Sequence, residues 1–476
     1  MLVKMKNSET KKPNIVFILT DDQRYDTINA LGYHQIKTPN MDKLVHQGTS
    51  FTNAYIPCGT CPGVCMPSRA MIHSGKSLFH LKDSGAYIPK KHVTMGEVLR
   101  ENGYRTYGIG KWHNGTESFQ RSFEDGDNIF FGGMWDHWNV PVNHYDPTGR
   151  YDNMINFTEN FAYNNDTIKV HCDCIQPGVH SSEFITDTAI RYLDSAKEDA
   201  PFFLYVAYLA PHDPRTMPER FKQMYSADEI ELPLNFMGQH PFDYGVNKIR
   251  AEQLKGVSFP RKEEEIRKNL AEYYGMISHL DFQIGRILDT LEKNNQVENT
   301  IIILAGDNGL ALGSHGLMAK QNAYEHSVKV PCVLKGKGIA KDRIVDQQIY
   351  LMDIYPTIMG LIGVNVPDNL DGISFAKMLQ NVDCVTREYL YFGYTHLLRS
   401  VKNKKYKLIE YRNVARETQL FDLENDPYEM NNLAGNSSYH EIIEQFRKKM
   451  FEFKEEWEKL KQRKKSLDEE AQNKKV

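Results

Sequence analysis

Two polar motifs in this chain carry side chains that can bind a hard metal ion. Asp21 and Asp22 are adjacent, and Asp307 is followed by Asn308. Calcium binds about six to eight oxygen atoms, many of them from carboxylates and carbonyls, so the two motifs would supply much of one coordination shell if they met in space. Each motif alone is equally typical of a tight turn, because Asp and Asn favour turn conformations. A metal site and a pair of turns both fit these residues.

A cluster of three cysteines is a second candidate for chemistry. Cys58, Cys61 and Cys65 are spaced as C-x2-C-x3-C, and three thiolates close in sequence can hold zinc or an iron–sulfur cluster. No fourth ligand follows at the spacing of a zinc finger, which disfavours a structural metal. The chain has seven cysteines, and this odd number argues against a complete disulfide framework.

Four segments are predicted to be the strands that position these motifs. Residues 14–19, 202–209 and 300–304 are apolar runs, which are typical of strands buried on both faces of a sheet, and residues 105–109 are also expected to form a strand. Helical patterns such as residues 263–293 separate the runs. The alternation predicts an α/β fold with a large, mostly parallel sheet flanked by helices.

A polar motif follows the end of each predicted strand. In chain order these motifs contain Asp21-Asp22, Lys111 with His113, His212, and Asp307-Asn308. In open α/β sheets, binding sites form outside the carboxyl ends of the strands. The four motifs are therefore expected to belong to one site.

Shorter patterns predict how the remaining chain is arranged around this sheet. Residues 41–47 are expected to form a short helix, and Pro67 should open another that Gly75 closes. Cys65 would then lie just before a helix N-terminus, where backbone N–H groups and the positive end of the helix dipole collect. Residues 114–180 show no sustained period and are predicted to be irregular.

The pattern of apolar and charged residues changes near residue 386. Four short apolar segments at residues 389–394, 397–402, 406–411 and 419–421 are followed by a charged helical pattern at residues 441–464. They predict a small C-terminal antiparallel sheet with one helix. We therefore divide the chain into a catalytic α/β domain, residues 1–385, and a C-terminal subdomain, residues 386–476.

The amino-acid composition and the charge pattern indicate which classes of partner, such as nucleic acids or membranes, are disfavoured. The apolar share of 41% is that of a globular protein, and a net charge of −4 on 476 residues neither favours nor disfavours an anionic substrate. No basic run interleaved with aromatic residues suggests a nucleic acid. The polar start and the short first apolar run, residues 15–19, predict no membrane span and a cytoplasmic location, or a periplasmic one if the true start lies upstream.

The segment Cys65-Met66-Pro67-Ser68-Arg69, with Gly75 further on, resembles the modification site of the type I sulfatases, which belong to the alkaline phosphatase superfamily. Further motifs of that family occur in the same order along almost the whole chain, with most similarity to bacterial carbohydrate sulfatases. They lie at residues 18–23, 38–42, 110–113, 211–212, 306–309, 313–316 with Lys320, 421–429 and 432–433.

The resemblance implies an alkaline phosphatase-like fold and hydrolysis of a sulfate ester. It implies that a formylglycine-generating maturase oxidises Cys65 to formylglycine, whose hydrated aldehyde attacks sulfur and whose second hydroxyl then allows sulfate to leave. It also implies that Asp21, Asp22, Asp307 and Asn308 bind calcium, with magnesium as the alternative, and that the modified Cys65 completes the shell.

The resemblance also assigns roles to five further residues. Arg69 would hold the geometry of the modified cysteine, while Lys111 and Lys320 would bind the sulfate oxygens as their charge grows. His113 would take the proton that lets sulfate leave. His212 would protonate the departing alcohol oxygen, a role that suits the pKa of imidazole.

The substrate is expected to be a sulfated carbohydrate, with an aryl or choline sulfate as the alternative. Trp135, His137, Arg215 and His396 are candidate contacts to it, because aromatic and polar groups together can bind a sugar ring. The same residues would serve equally as the core of a loop.

Two other functions compete with a sulfatase. A metal-dependent phosphoesterase of the same superfamily usually carries Ser or Thr at the nucleophile position and often binds two zinc ions, whereas Cys65 and one set of oxygen ligands stand here. A non-enzymatic protein with a metal centre at the three cysteines is the other.

Overall fold

The computed structural model describes residues 11–59, 63–81, 85–158, 162–197, 199–245, 257–382, 384–412 and 415–458. Cys61 lies outside the described residues, so the predicted cluster of Cys58, Cys61 and Cys65 cannot be compared with the structure as a whole. The same is true of residues 459–464, the end of the predicted C-terminal helix.

The structure contains strands in several sheets. In chain order, β1 to β20 are Asn14–Thr20, Thr49–Phe51, Ala54–Tyr55, Cys58–Gly59, Arg105–Lys111, Asp125–Phe130, Asn139–Val142, Met154–Phe157, Ile168–His171, Cys174–Pro177, Phe202–Ala207, Thr300–Gly306, Lys329–Val330, Cys332–Lys335, Arg343–Val345, Ile349–Tyr350, Leu390–Tyr394, Leu398–Lys402, Tyr406–Tyr411 and Thr418–Asp422.

Helices cover both faces of the largest sheet. In chain order, α1 to α11 are Pro39–Gln47, Cys65–Ser74, Met95–Glu101, Thr116–Ser122, Ser181–Ser195, Glu219–Lys222, Glu263–Lys293, Glu325–Val328, Ile354–Leu361, Ala376–Leu379 and His440–Phe453. Short 3-10 turns occupy Asn29–Leu31, Ala227–Glu229, Val297–Asn299, Leu351–Asp353 and Ser437–Tyr439, and a π-helical turn, Lys454–Glu458, follows α11.

The largest sheet has the strand order β15-β2-β14-β12-β1-β11-β5-β6. Its pairs are parallel except for β12 with β14 and β14 with β2. The expectation of a large, mostly parallel sheet flanked by helices is confirmed. The four strands predicted from the sequence are consecutive neighbours, β12-β1-β11-β5, at the centre of the sheet.

The central strand β1 shows why a continuous apolar run was needed. Ile15 and Phe17 face one core cluster, and Val16 and Ile18 face the other, and all four are fully buried. The long helix α7 covers the second face with residues such as Ile284. Because both faces of the strand are covered, each of these four side chains contributes burial of about 25 cal/mol per Å² of apolar surface.

The prediction of an irregular region at residues 114–180 is wrong. This region contains α4 and the strands β6 to β10, and β6 is the edge strand of the largest sheet beside β5. The strands are only four to six residues long, and β8 and β9 are largely exposed. Such short and partly exposed strands leave only a weak apolar pattern in the sequence.

Helix α2 begins two residues earlier than expected, at Cys65 itself. The N–H of Ser68 donates to the carbonyl of Val64 at 3.1 Å, which closes the first turn. Pro67 lies inside that turn, where its missing N–H is not needed. Gly75 ends the helix with a φ of 61°, in the left-handed region that glycine adopts easily.

The C-terminal sheet has the order β20-β19-β18-β17-β4. Its first three pairs are antiparallel, as predicted, and α11 follows it in the chain. The edge strand β4 comes from the N-terminal part of the chain and pairs in parallel with β17, with Cys58 opposite Gly393.

In the described part of the chain, no helix has both the length and the apolar character that a membrane crossing requires.

A buried ionic cluster joins helix α8 to the C-terminal sheet. The carboxylate of Glu325 accepts hydrogen bonds from Lys402 at 3.2 Å, Lys407 at 2.9 Å and Tyr55 at 2.7 Å. Lys407 also donates to Glu429 at 2.7 Å. Burial raises the pKa of Glu325, but Lys402 and Lys407 outweigh this effect, and the pKa lies well below its usual range.

We predict that Glu325→Gln lowers the free energy of unfolding by about 3–5 kcal/mol, because it leaves buried ammonium groups without their counter-charge. Urea denaturation at neutral pH measures this. Glu424→Gln is the matched control, since Glu424 pairs with Lys405 at 3.2 Å on the exposed side of the same sheet and should have no measurable effect. Equal stability of the two variants would contradict a stabilising role for the cluster.

Candidate active site

The four central strands end at the same level. Leu19 of β1 lies opposite Ala207 of β11 and Ala305 of β12, and Ala207 lies opposite Gly110 of β5. The residues that follow these positions leave the sheet side by side. The structure therefore brings together Asp21, Asp22, Lys111, His113, His212, Asp307 and Asn308, and it adds Cys65 and Arg69 from α2.

The carboxylate-bearing segments are bound to one another. The N–H of Asp22 donates to Asp307 Oδ1 at 3.1 Å, and Asn308 Nδ2 donates to Asp22 Oδ1 at 2.7 Å. Asp22 has a φ of 63°, which turns the chain sharply after β1. Tyr273 of α7 fixes this turn, because its hydroxyl donates to the Asp22 carbonyl at 2.6 Å.

Three acceptor oxygens in this group are buried without a hydrogen-bond partner. They are Asp21 Oδ1, Asp22 Oδ2 and Asn308 Oδ1, and buried polar atoms in folded proteins are nearly always satisfied. One ligand atom each from Asp21, Cys65 and Asp307 lie within 4.8 Å of one another. Carboxylate and amide oxygens are the donors that a hard divalent cation prefers, so these residues, with three oxygens unsatisfied, fit a calcium or magnesium ion.

Cys65 lies at the start of α2, beside this group. Its Sγ is 3.6 Å from His113 Nδ1 and 3.8 Å from Lys111 Nζ, and only 4% of the residue is exposed. Burial raises the pKa of the thiol, although Lys111 lowers it in part. An unmodified Cys65 is therefore a neutral thiol, which is a poor nucleophile.

Arg69 ties α2 to the ends of two strands. Its Nε donates to Asp307 Oδ2 at 2.8 Å and its Nη1 donates to the Lys111 carbonyl at 2.6 Å, and the residue is fully buried. Its Nη2 lies 3.6 Å from Asp21 Oδ2. Burial lowers the pKa of Arg69, but the negative charges of Asp307 and Asp21 raise it by a larger amount, so the guanidinium stays charged.

Two buried lysines complete the charge balance. Lys111 donates to the Asp21 carboxylate and to the Gly133 carbonyl, and Lys320 donates to the Asp22 carboxylate. Burial lowers the pKa of Lys320, but Asp22 outweighs it, and the pKa lies above its usual value. Lys320 is therefore held as a cation, and both lysine side chains lie against the carboxylates.

The two histidines face the site differently. His212 Nδ1 donates to the Asp213 carbonyl at 2.9 Å, which leaves Nε2 facing Asp22 Oδ2 at 3.7 Å. His113 follows β5 with a φ of 67°. Burial and the charge of Lys111 lower the pKa of His113 to about 2, so this imidazole is neutral and can accept a proton.

The four predicted substrate residues differ in their exposure and in their partners. His137 is buried beneath His212, and Arg215 contacts Asp213 at 3.0 Å and Asn269 at 2.5 Å. Trp135 is half-buried, with its ring 5.9 Å from that of Phe157. His396 is exposed in the turn between β17 and β18. Substrate contact by these residues stays a prediction.

Two contributors to the site carry no sequence motif. Tyr273 has the spacing of an ordinary core residue on α7, and Gly133 contributes only its carbonyl, from the region predicted to be irregular. Neither has a local signal, because the first acts through the tertiary position of a long helix and the second through its backbone.

Family models and related proteins identify the family to which the chain belongs. The Sulfatase family model matches residues 13–364, and the model for the C-terminal part of N-sulphoglucosamine sulphohydrolase matches residues 313–456. An arylsulfatase of Clostridium perfringens is 29% identical over 465 residues, which cover 92% of this chain and 93% of that protein. An N-acetylglucosamine-6-O-sulfatase of Bacteroides thetaiotaomicron is 25% identical, with 91% and 85% covered.

Solved structures share the fold. One protein, solved in complex with its substrate D-glucosamine-2-N,6-O-disulfate, matches with a TM-score of 0.75 at 23% identity, covering 94% of this chain and 99% of that one. This likeness identifies the fold as alkaline phosphatase-like, and the family model spans most of the chain. The chain therefore belongs to the sulfatase family and is a sulfuric ester hydrolase.

Proposed function

We propose that this sulfatase releases sulfate from a sulfated carbohydrate, using a formylglycine made from Cys65 and a calcium ion. The observation that carries the proposal is the position of Cys65. Its side chain lies at the start of α2 and is close to Lys111 Nζ and His113 Nδ1, and its Sγ lies within 4.8 Å of a carboxylate oxygen of Asp21 and of Asp307. Since the thiol itself stays neutral, oxidation to an aldehyde by a maturase explains why a cysteine stands at this position.

Asp21, Asp22, Asp307 and Asn308 would hold the cation. When bound, the cation would polarise a sulfate oxygen and lower the pKa of the attacking hydroxyl on the modified residue. Magnesium is the alternative ion, but it demands a near-octahedral shell and usually keeps several waters, whereas a site built mostly of protein oxygens suits calcium.

Lys111 and Lys320 would stabilise the negative charge that grows on the sulfate oxygens. Both are held in place before the reaction, by Asp21 and by Asp22, and preorganised cations of this kind lower a barrier without reorganisation. Arg69 is a positioning residue in this scheme, because its contacts fix α2 against Asp307 and the end of β5.

His212 would act as the general acid. A carbonyl oxygen can only accept, so His212 Nδ1 must carry a proton, and Nε2 is the nitrogen available to the leaving oxygen. His113 would be the base, since it is neutral and lies 3.6 Å from Cys65 Sγ. Separate histidines for the two proton transfers suit a reaction in which one oxygen is protonated and another is deprotonated.

The relatives support a sulfated sugar as substrate. One is named for the 6-sulfate of N-acetylglucosamine, and a protein of the same fold was solved with a disulfated glucosamine. Another relative is named an arylsulfatase, which keeps aryl sulfates as the alternative. Trp135, Arg215 and His396 remain the proposed sugar contacts.

Mass spectrometry on protein produced together with a maturase tests the modification. We expect fragment ions that place a loss of about 18 Da on Cys65, because the CH2–SH group becomes an aldehyde and no other step of thiol oxidation lowers the mass by this amount. Cys58 is the internal control and should keep its full mass. The Cys65→Ala variant should fold and show no turnover. An unmodified Cys65 in active protein would refute the proposal.

Calcium-dependent stability tests the metal site. Because a ligand that binds the native state raises its stability, we expect calcium to raise the Tm of the chelator-treated enzyme and to restore turnover. Asp307→Asn should remove most of this increase. Asp281→Asn is the matched control, since Asp281 is also buried but accepts from the N–H groups of Asn40 and Met41 at the start of α1.

That control variant should lose stability and keep the full calcium effect. An enzyme whose Tm and turnover do not respond to calcium or magnesium after exhaustive chelation would contradict the assignment of these residues to a metal.

A further inference from the structure

A column of three buried histidines lies behind the loop that carries His212. His137 and His180 are stacked, with ring centroids 4.9 Å apart and planes 3° from parallel, and His279 meets His180 edge-on at 4.7 Å. All three are almost fully buried. They come from the segment before β7, the N-cap of α5 and the middle of α7, so three separate elements converge here.

Two members of the column donate hydrogen bonds to the His212 loop. His137 Nε2 donates to the carbonyl of His212 at 3.0 Å, and His180 Nε2 donates to the carbonyl of Thr216 at 2.9 Å. Because carbonyl oxygens only accept, both histidines must carry their proton on Nε2. The loop is therefore anchored at its first and fifth residues by two side chains of the same column.

The other ring nitrogens fix these tautomers. Nδ1 of His137 accepts from the Ser181 hydroxyl at 2.6 Å, and Nδ1 of His180 accepts from the N–H of Ser182 at 3.2 Å. Burial lowers the pKa of His137 to about 4 and that of His180 to about 2, so both rings stay neutral. Each neutral ring donates to the loop on one side and accepts from the start of α5 on the other.

The anchored loop sets the direction of the His212 ring. The acceptor for His212 Nδ1 is the carbonyl of Asp213, which lies between the two anchored carbonyls. Holding the backbone at residues 212 and 216 therefore also holds this acceptor. The consequence is that Nε2 faces Asp22 at the site and does not rotate toward the column.

We propose that His137 and His180 are positioning residues, which hold His212 so that its Nε2 can protonate the leaving alcohol. This inference rests on the proposed role of His212 as general acid. In that step the attacking hydroxyl oxygen of the modified Cys65 would form a new bond to sulfur while the S–O bond to the alcohol breaks and its electron pair goes to the leaving oxygen. That oxygen takes the proton from Nε2 of the His212 imidazolium, and the ring is left neutral with its remaining proton on Nδ1. His137, predicted from the sequence to touch substrate, acts here from beneath the catalytic histidine.

General acid catalysis matters most for poor leaving groups. A nitrophenolate leaves without protonation, whereas a more basic phenolate needs the proton. Loss of a correctly placed acid should therefore steepen the dependence of kcat/KM on the basicity of the leaving group, while a general loss of folded enzyme lowers all rates by the same factor. This dependence separates positioning from stability.

The test uses modified, calcium-loaded enzyme and a series of aryl sulfates from 4-nitrophenyl to 4-methoxyphenyl sulfate. His137→Leu removes the donor, and His137→Gln keeps an amide donor of similar reach. We expect His137→Leu to lose at least about tenfold more kcat/KM on the 4-methoxyphenyl than on the 4-nitrophenyl ester, a modest part of what a general acid contributes, and His137→Gln to recover most of this loss.

His279→Leu is the matched control. His279 belongs to the same buried column, but its Nε2 lies 3.1 Å from Gln283 and 3.5 Å from Glu183 and does not contact the loop. This variant should leave the dependence on the leaving group unchanged. His212→Ala provides the reference slope, and adding His137→Leu to it should steepen the slope no further, because the acid that is positioned is already gone.

Two outcomes would overturn the inference. A wild-type slope in His137→Leu, beside a steeper slope in His212→Ala, would refute positioning by the column and leave the role of His212 intact. A wild-type slope in His212→Ala would remove the general acid itself and the inference with it. Independently of turnover, ring NMR of the metal-loaded protein should show His212 protonated at Nδ1 in the wild type and in His279→Leu, and a mixture of tautomers in His137→Leu.

Discussion

The mutual compensation of buried carboxylates and buried cations is the constraint on which the site depends. Ionised carboxylates placed together in a dry interior repel one another, and burial raises the pKa of Asp307 to about 7 with further help from Asp21. Three cations within reach of the carboxylates offset this cost. Arg69 forms ion pairs with Asp307 and Asp21, Lys111 with Asp21, and Lys320 with Asp22.

Each cation comes from a different element, which explains how the balance also shapes the fold. Arg69 reaches the carboxylates only if α2 lies across the ends of β5 and β12, and this placement puts Cys65 at the site. Lys111 arrives with β5 and Lys320 with the loop after β12. Losing any of the three would leave a buried charge unpaired, which is more costly than the pair is favourable. Fold and catalytic geometry are thus enforced by the same contacts.

The sequence predicts the parts of this arrangement that are locally encoded. The four predicted strands are neighbours in the largest sheet, and the predicted helix matches α7 over its full length, Glu263–Lys293. The motif residues converged because parallel neighbours end at one edge. The pairing of β4 with β17 and the place of His137 could not be predicted, since each depends on a partner many tens of residues away. The edge strand β6 was missed because its own sequence, Asp125–Phe130, begins with polar residues. His137 is an ordinary histidine in sequence, and its role follows from the carbonyl above it.

The C-terminal sheet is connected to the site by two of these distant contacts. Glu325 follows Lys320 by five residues and is fixed by Lys402 and Lys407 of β18 and β19. The strand β4, which precedes Cys65 in the chain, is the edge strand of the same sheet. The segments that carry Cys65, the proposed nucleophile position, and Lys320, proposed to bind sulfate, therefore both contact C-terminal strands. A change in the packing of that sheet reaches the site through the backbone of these two segments, although none of its strands carries a predicted catalytic residue.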